Sequence, residues 1–448
     1  MLRRETIGLV CLAVASSVAS PGRAAEPAGA TQPARADGPA SRPSLAERVK
    51  DVVTTVAVPG EAFSLGMVSR DMADKLRWYA RAIELNPKMV EAYNNRGIAY
   101  FRMGKDAEAV RDYSKAIELD ANAPLSYCNR GGAYLRMGEL DKAIRDCTRA
   151  LQLDPRLAQA YDNRALAFRK KGDIPKAIRD YTQAIEVAPR FARAYECRGG
   201  AYYALGDFDR AIADQTRAIE LWPRRPQTYE FRARAWYRKH DFDRAIRDYN
   251  RAIELDPNFA EAYSGRGLAR TGLGEYARAV KDHTRAIELG LASRPDRLWR
   301  GWARVNSGSY AEAIADFVEH LKANPADPYA EVALYLAQVR AGRPRRERLA
   351  AARKKRKDHE WITSIMRMYL GEITPNACLA AAGHKDPDHH AARRCEALYY
   401  IGVMYLLRGD SQTARKCFRW AVQTGRKELI EYNGARAELR RMDVAPPK

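Results

Sequence analysis

The sequence predicts an all-α solenoid, an array of helical hairpins in which each hairpin packs on the next. The first observation behind this prediction is a spacing of 34 residues, which recurs between Pro155, Pro189, Pro223 and Pro257. The second is that the seven windows cut on this spacing, from residue 90 to residue 327, repeat one pattern of small and aromatic residues. Because a short hairpin cannot bury its apolar face alone, such units must stack on one another.

Each window is expected to contain two closely packed helices. Position 8 is Gly or Ala and position 20 is Ala in all seven windows, and small residues let two helix backbones approach each other. Position 4 is aromatic in the first six windows and lies on the same face of the first helix as positions 7, 8 and 11. A glycine at position 15 is expected to separate the two helices in six windows, at Gly104, Gly138, Gly172, Gly206, Gly274 and Gly308.

This pattern resembles that of the tetratricopeptide repeat (TPR) family, which combines aromatic residues in the first helix, small residues at the helix contact and a terminal proline. The resemblance covers all seven windows. It implies a right-handed superhelix whose first helices line a concave groove. The sequence departs from the pattern where Arg270, Arg297, Arg304 and His320 occupy positions that are usually in the core. Windows six and seven are therefore expected to pack less regularly.

Two charged positions also recur in every window, Arg at position 7 and Asp at position 23. Because these positions are symmetric about the turn, we predict that they meet as a structural ladder of ion pairs; a basic stripe for ligands is the alternative. Two other units lack both charged residues. The unit that ends at Pro87 has Ala62 and Trp78 at these positions, and the unit at 395–428 has Ile401 and Cys417. The predicted pairs are Arg96 with Asp112, Arg130 with Asp146, Arg164 with Asp180, Arg198 with Asp214, Arg232 with Asp248, Arg266 with Asp282 and Arg300 with Asp316.

The N-terminal residues have the pattern of an export signal. A charged start precedes an apolar run from Thr6 to Ala19 and a segment of small residues, so we predict a signal peptide over residues 1–24 and export to the periplasm or cell envelope of a bacterium. Cys11 lacks the context of a lipoprotein signal, so no lipid anchor is expected. Residues 25–44, rich in Pro, Ala and Gly, predict a disordered linker, and residues 45–89 predict a helical cap with a degraded repeat.

The inward face of the first helices is the predicted binding groove. Asparagine amides can hold a peptide backbone, cations favour acidic side chains or a C-terminal carboxylate, and aromatic rings suit apolar anchors. Phe231, Trp299 and Trp302 would make the later groove more aromatic. An ordinary hydrated face is the alternative, and the sequence does not decide between the two. The candidate groove residues are Asn95, Asn129, Asn163, Arg102, Arg136, Lys170, Arg238, Tyr203 and Tyr237.

The chain is strongly basic, with a net charge of +21. Much of the excess lies in residues 340–357, where ten Lys or Arg accompany one acid, Glu347. Such a run can hold an anionic glycan, an anionic lipid or an acidic partner, and a solvated helix is the alternative. Nucleic acid is not expected as a partner because the chain is predicted to be exported.

The segment from residue 378 to residue 395 contains side chains that could form a cross-link or bind a metal. Cys378 and Cys395 are symmetric about a turn, so a disulfide between them is a candidate. We expect a hydrophilic loop and no metal at the intervening donors, which are His384, Asp386, Asp388, His389 and His390. The acids that recur stand at fixed positions of the 34-residue repeat, so the scaffold explains them. We therefore predict no catalytic residues, no cofactor and no enzyme activity.

The C-terminal third has a narrower resemblance. Short motifs such as Asn324-Pro325, Tyr369-Leu370-Gly371 and Tyr399-Tyr400-Ile401-Gly402 are similar to the NlpI-like family of bacterial outer-membrane TPR lipoproteins, which scaffold peptidoglycan hydrolases and a processing protease. This resemblance implies a dimeric, non-catalytic periplasmic adaptor for protein partners. Residues 395–428 fit the TPR pattern and predict a further TPR unit, between a basic helical connection (328–394) and a C-terminal helix with a tail (429–448). A binder of anionic glycan or lipid is the alternative.

Overall fold

The computed structural model describes residues 58–291, 295–357, 360–427 and 429–444. Within these ranges the chain forms 23 helices and no strand, so the predicted all-α solenoid is confirmed. The predicted signal peptide, the predicted linker and the part of the predicted cap before residue 58 lie outside the described residues.

The helices pair into hairpins that follow the predicted windows. Two helices precede the first window, α1 (Pro59–Val68) and α2 (Met72–Leu85). Hairpins 1 to 7 are α3 (Val90–Arg102) with α4 (Asp106–Leu119), α5 (Pro124–Met137) with α6 (Leu140–Leu153), α7 (Ala158–Lys170) with α8 (Ile174–Val187), α9 (Ala192–Ala204) with α10 (Phe208–Leu221), α11 (Pro226–Arg238) with α12 (Phe242–Leu255), α13 (Ala260–Leu273) with α14 (Tyr276–Glu288), and α15 (Asp296–Ser307) with α16 (Tyr310–Ala323). Each first helix packs on its own second helix and on the second helix before it, so the array is held by contacts between neighbours.

The small residue at position 8 is explained by the packing of the two helices. A Cβ atom on Gly97 would lie 2.6 Å from the ring of Tyr113, and one on Gly301 would lie 2.5 Å from the ring of Phe317. Both rings come from the second helix of the same hairpin and are buried. The pattern of small residues in the sequence therefore marks the contact between the two helices.

The C-terminal region continues the solenoid and then folds back on it. Hairpin 8 consists of α17 (Pro328–Arg340) and α18 (Arg346–Lys354), where the sequence predicted a connecting region. It is followed by α19 (Trp361–Leu370), α20 (Pro375–Ala381), α21 (Pro387–Leu407), α22 (Ser411–Gln423) and α23 (Ile430–Val444). The predicted unit at 395–428 is the pair of α21 and α22, although α21 begins earlier than expected, and α23 packs on α21, α22 and α15.

One continuous apolar core runs through α15 to α23, from Trp302 to Ala435, and these helices form the C-terminal module. The earlier hairpins are held by smaller, separate apolar clusters. Among the helices that the structure describes, none is both long enough and apolar enough to cross a membrane.

Candidate functional site

The candidate site is the side of the array that carries the first helices. Successive first helices contact each other more closely than successive second helices do. The array therefore curves toward its first helices. Positions 2, 5, 6, 9, 12 and 13 of these helices form the inner face, which is where the sequence predicts the groove.

The predicted Arg and Asp side chains meet in all seven hairpins. In hairpin 3, Arg164 Nε and Nη2 donate to the two carboxylate oxygens of Asp180 at 2.7 and 2.8 Å. The arginine side chains are 15–21% exposed and the aspartates 3–11%, so the pairs lie inside the stack. The other six pairs, with shortest N···O distances of 2.6 to 2.8 Å, are Arg96 with Asp112, Arg130 with Asp146, Arg198 with Asp214, Arg232 with Asp248, Arg266 with Asp282 and Arg300 with Asp316.

Six of these arginines also reach the preceding hairpin. Arg164 Nη1 donates to Thr148 Oγ1 in α6, 3.1 Å away. The corresponding acceptors for the other five are Ser114, Thr182, Thr216, Asn250 and Thr284. All six acceptors stand at position 25 of their windows, a regularity that was visible in the sequence and that the prediction did not use. Each such arginine therefore joins two hairpins, and the ladder belongs to the scaffold.

The three candidate asparagines all make hydrogen bonds within the scaffold. Asn163 Nδ2 donates to the carbonyl of Cys128 at 3.4 Å, and Asn129 Nδ2 donates to Asn94 Oδ1 at 3.1 Å. Both bonds join neighbouring first helices. Asn95 Nδ2 donates to a carbonyl of its own helix at 3.0 Å. Each of these amides makes a hydrogen bond within the scaffold, and peptide binding by them stays a prediction.

The cations at position 13 have a similar structural role. Arg136 Nε donates to Asp106 of the preceding hairpin at 2.7 Å, and its guanidinium lies 3.6 Å from the ring centre of Phe101. Lys170 Nζ donates to the carbonyl of Leu135 at 3.4 Å. Both cations thus lie at the C-terminal end of the preceding first helix, where carbonyl groups lack helical partners. Arg102, at the start of the array, is exposed.

Aromatic residues at position 12 give hairpins 4 and 5 an apolar edge. The ring centre of Tyr203 lies 5.4 Å from that of Phe208, and the Arg238 guanidinium lies 5.9 Å from the Tyr203 ring. Tyr237 lies 5.5 Å from Phe242. Both tyrosines are half-buried, so each contributes part of its ring to the inner face.

Hairpins 3 to 5 carry a row of acids at position 5 that the prediction did not recognise as a feature. Asp162, Glu196 and Glu230 are 0, 7 and 7% exposed. Burial raises the pKa of Asp162. The side chains of Arg193 and Arg225 are 41 and 46% exposed, so the inner face presents guanidinium groups above buried carboxylates. The ion pairs are Asp162 with Arg193 at 3.2 Å, Glu196 with Arg225 at 2.8 Å and Glu230 with Arg234 at 3.7 Å.

An open space lies beside this row at Gly200, in the middle of α9. A Cβ atom there would meet no atom within 4 Å, whereas one on Gly199 would lie 2.7 Å from Gln215 Nε2. Glycine in a helix interior costs about 0.5 to 1 kcal/mol relative to alanine. The packing of the scaffold gives no reason for Gly200, and its missing side chain leaves the helix backbone accessible at this point.

The inner face of hairpins 6 to 8 is covered by helices α21 and α23. Arg436 in α23 donates to the carbonyl of Gly272 at 2.9 Å. Trp302 is 3% exposed and packs against Tyr399 of α21. The prediction that Trp302 makes the later groove more aromatic is therefore wrong, because the chain itself fills that position. The open part of the inner face belongs to hairpins 1 to 5.

The candidate disulfide is not formed. Cys378 and Cys395 are both buried thiols, and Cys395 Sγ lies 3.6 Å from the carbonyl of Ala421. The fold of α21 thus directs Cys395 toward α22, while Cys378 lies in α20. Between them, Asp386 caps α21 by accepting from two backbone N–H groups. Over the residues that the structure describes, no three His, Cys, Asp or Glu side chains are grouped so that they could hold a metal, and this includes the turn with His384, Asp388, His389 and His390.

The basic segment 340–357 is partly occupied by internal contacts. Arg348 donates to both carboxylate oxygens of Glu331 at 2.8 and 2.9 Å, and Arg340 pairs with Glu438 at 2.8 Å. Arg346, Arg353 and Arg356 also contact neighbouring segments. Binding of anionic glycan or lipid stays a prediction for the exposed remainder, which is Arg343, Arg345, Lys354, Lys355 and Lys357.

Family models of the tetratricopeptide repeat match several stretches of this chain. A model described as TPR repeat matches residues 76–104, 99–138 and 233–274. Models described as Tetratricopeptide repeat match residues 124–157, 163–226 and 396–419. The matched stretches lie mainly in hairpins 1 to 6 and in the pair of α21 and α22.

Solved structures are similar to parts of the chain. MamA is 29% identical over 34% of this chain and 90% of its own, with a TM-score of 0.32. YrrB, described as a TPR protein with an unusual peptide-binding site, is 20% identical over 41% of this chain and 95% of its own, with a TM-score of 0.35. A tetratricopeptide repeat protein from Parabacteroides merdae is 22% identical over 56% of this chain and 98% of its own, with a TM-score of 0.42.

Proposed function

The chain is a tetratricopeptide repeat protein, and we propose that it is a non-catalytic scaffold that binds segments of partner proteins on the inner face of hairpins 3 to 5. Stacked helical repeats present extended curved surfaces suited to such binding. The observation that carries the proposal is the open space at Gly200, which lies beside arginines paired with buried carboxylates.

The chemistry of this surface favours an extended acidic segment. Arg193 and Arg225 are held in place by Asp162 and Glu196, so their exposed N–H groups lose little freedom when they bind a carboxylate. Guanidinium groups bind carboxylates through charge-assisted hydrogen bonds. The half-buried ring of Tyr203 adds an apolar contact at the same level of the array.

A location in the bacterial cell envelope and a role as an adaptor for peptidoglycan hydrolases or proteases belong to the same proposal. Their support is the signal-like pattern of residues 1–24 and the resemblance of the last third to the NlpI-like family. Pairing with a second copy is implied by that resemblance. Fractionation of cells that produce the full chain tests the location, and finding the unprocessed chain in the cytoplasm would contradict it.

The binding proposal is tested by Gly200→Leu. Leucine fills the open space, contacts no other side chain at its Cβ, and favours a helix more than glycine does. We expect the variant to keep or exceed the thermal stability of the wild type while binding a captured envelope protein at least about tenfold more weakly, because the loss of a buried contact is worth about 1.4 kcal/mol or more.

The matched control is Gln183→Leu, which adds the same side chain at an exposed position of a second helix, α8. Capture from envelope extract identifies the partner, and titration with the purified partner gives the affinity. Equal affinity for wild type, Gly200→Leu and Gln183→Leu would contradict the proposal. A partner retained by all three and released steeply by added salt would favour the exposed cations of residues 340–357 instead.

A further inference from the structure

The C-terminal helix α23 is polar in composition, yet it is buried on almost all sides. Glu431, Asn433 and Glu438 are 6, 7 and 3% exposed. A helix that is buried all round is ordinarily apolar all round. The position of α23 therefore depends on specific polar contacts, and its polar side chains would be well solvated if it left the core.

Several of these contacts hold α23 on the inner face. Arg441 Nη2 donates to the carbonyls of Val305 and Asn306 in α15, at 2.9 and 2.6 Å. Glu438 pairs with Arg340 at the end of α17, at 2.8 Å. Together with the bond from Arg436 to α13, they attach α23 to the first helices of hairpins 6, 7 and 8.

Arg436 takes the place of a cation that earlier hairpins supply themselves. At position 13, Arg136 and Lys170 lie beside the carbonyl end of the preceding first helix. Hairpin 7 has Asn306 at that position, so it offers no cation to the carbonyl end of α13. The carbonyl of Gly272 at that end receives Arg436 from α23 instead.

The N-terminal end of α23 is held by a pair of carboxyl groups. Glu431 accepts from the Tyr400 hydroxyl at 3.1 Å, and Glu396, one helical turn before Tyr400 in α21, accepts from Trp361 Nε1 at 2.6 Å. Glu431 and Glu396 are 6 and 9% exposed, and within the described residues neither has a Lys or Arg at ion-pair distance. Two carboxyl groups that share a buried site are costly to ionise together.

The groups around Glu396 and Glu431 together favour the state in which this pair of carboxyl groups keeps a proton. Burial, followed by the nearby Glu431, raises the pKa of Glu396 to about 8. Burial also raises the pKa of Glu431. Arg393 of α21 acts in the opposite direction on Glu396, as do the hydrogen-bonding groups of Trp361 from α19 and Tyr329 from α17, and burial outweighs them.

We propose that Glu396 and Glu431 form a latch that is operated by pH. While the pair retains a proton, α23 stays docked on the inner face of hairpins 6 to 8. When the last proton leaves, two buried negative charges repel each other, and release of α23 moves Glu431 into water. The freed surface continues the open inner face of hairpins 1 to 5, so pH sets the length of the face that a partner can reach.

Hydrogen exchange of the full chain tests the latch. A group whose pKa is raised in the docked state favours docking at low pH and loses that contribution as pH rises through the docked pKa. With the pKa of Glu396 at about 8 in the docked state, docking weakens by up to about tenfold per pH unit as the pH approaches that value, and the effect levels off above it. Amides of residues 431–442 are therefore expected to exchange about tenfold faster at about pH 9 than at about pH 7, after correction for the chemical exchange rate.

The double variant Glu396→Gln with Glu431→Gln supplies the comparison. The amides keep acceptors for Trp361 and Tyr400 but have no charge to gain. We expect its α23 amides to show no such pH response, while the amides of α8 behave alike in both proteins and report intact folding. Constant protection of α23 in the wild type across this pH range would overturn the proposal, as would an equal pH response in the double variant.

Discussion

At the scale of single residues, the ladder arginines explain how one side chain can serve two hairpins. Arg164 gives two N–H groups to Asp180 within its own hairpin and a third to Thr148 in the hairpin before it. The guanidinium plane fits this arrangement, since its donors lie in a fixed fork. A lysine at the same place would offer a single charged atom and could not join three points in this geometry.

The ladder predicts a large penalty for losing one acid. Asp180→Ala leaves Arg164 largely buried without its carboxylate, and breaking a buried pair costs about 3 kcal/mol or more. Asp141→Ala removes an exposed ion pair with Lys171 and should cost far less, because water screens that pair. Hydrogen exchange in α7 and α8 measures both effects locally. Similar losses of protection in the two variants would contradict the buried role of the ladder.

The sequence predicted the ladder because both of its partners recur at fixed positions within one window. It could not predict the roles of Asn129 and Asn163, since their partners lie in the neighbouring hairpin and depend on how two units pack. Gly199 and Gly200 show the same limit. The two residues are identical and adjacent, and only the environment separates the glycine required by helix contact from the one beside open space.

At the scale of the hairpin, one turn departs from the others. Position 15 is a left-handed glycine in hairpins 1 to 4, 6 and 7, as at Gly206 with φ of 80°, but it is His240 with φ of 60° in hairpin 5. A left-handed backbone costs a residue with a Cβ atom about 1 to 2 kcal/mol. Hairpin 5 therefore carries strain that the other turns avoid.

The strain at position 15 can be tested by reciprocal substitutions in hairpins 4 and 5. We expect His240→Gly to stabilise hairpin 5 by about 0.5 to 1 kcal/mol, because relief of the left-handed strain exceeds the extra freedom of glycine in the unfolded chain. Gly206→His is the reciprocal change and should destabilise hairpin 4, since a Cβ atom there meets no neighbour and only the backbone is strained. The change in unfolding midpoint of each variant, measured by hydrogen exchange of the α10 and α12 amides, tests both predictions. Shifts in the same direction would contradict the argument.

Hairpins 6 and 7 show how a departure from the family pattern is accommodated. Arg270 and Arg304 replace the aromatic residue of position 11, and each donates to the aspartate of its own hairpin, Asp282 or Asp316, at 2.7 and 2.6 Å. Both hairpins keep the paired helices of the others. Less regular packing was predicted because arginine is unusual at a position that is ordinarily in the core. In the structure, each of these arginines adds a second ion pair to the ladder.

A helix start was also missed at the turn before the last repeat unit. The sequence predicted a hydrophilic loop there, but Asp386 caps α21 and Pro387 occupies its first position. Asp followed by Pro is a signal for a helix N-terminus. The prediction took the polar His and Asp residues around it as the mark of a hydrophilic loop and did not use that signal.

At the scale of the whole molecule, the described chain contains two kinds of core. Hairpins 1 to 5 are joined by ladder contacts and small apolar clusters, such as the one around Tyr113. The C-terminal module instead buries large side chains in one continuous cluster that includes Phe317, Tyr399 and Phe418. Stacked repeats unfold according to the strength of their local units and interfaces, so two regions with different cores need not unfold together.

We therefore expect two transitions in urea, with the C-terminal module unfolding at the higher concentration because it buries more apolar surface in a single cluster. Exchange of α8 and α21 amides follows the two regions separately. Asp180→Ala should lower the first midpoint alone. Gly402→Ala, whose Cβ would lie 2.6 Å from the Phe418 ring, should lower the second midpoint alone, because overpacking costs about 1 to 3 kcal/mol of unfolding free energy. If both regions lose protection at one concentration, and each substitution shifts both midpoints equally, the chain unfolds as a single cooperative unit and the division of its core has no energetic meaning.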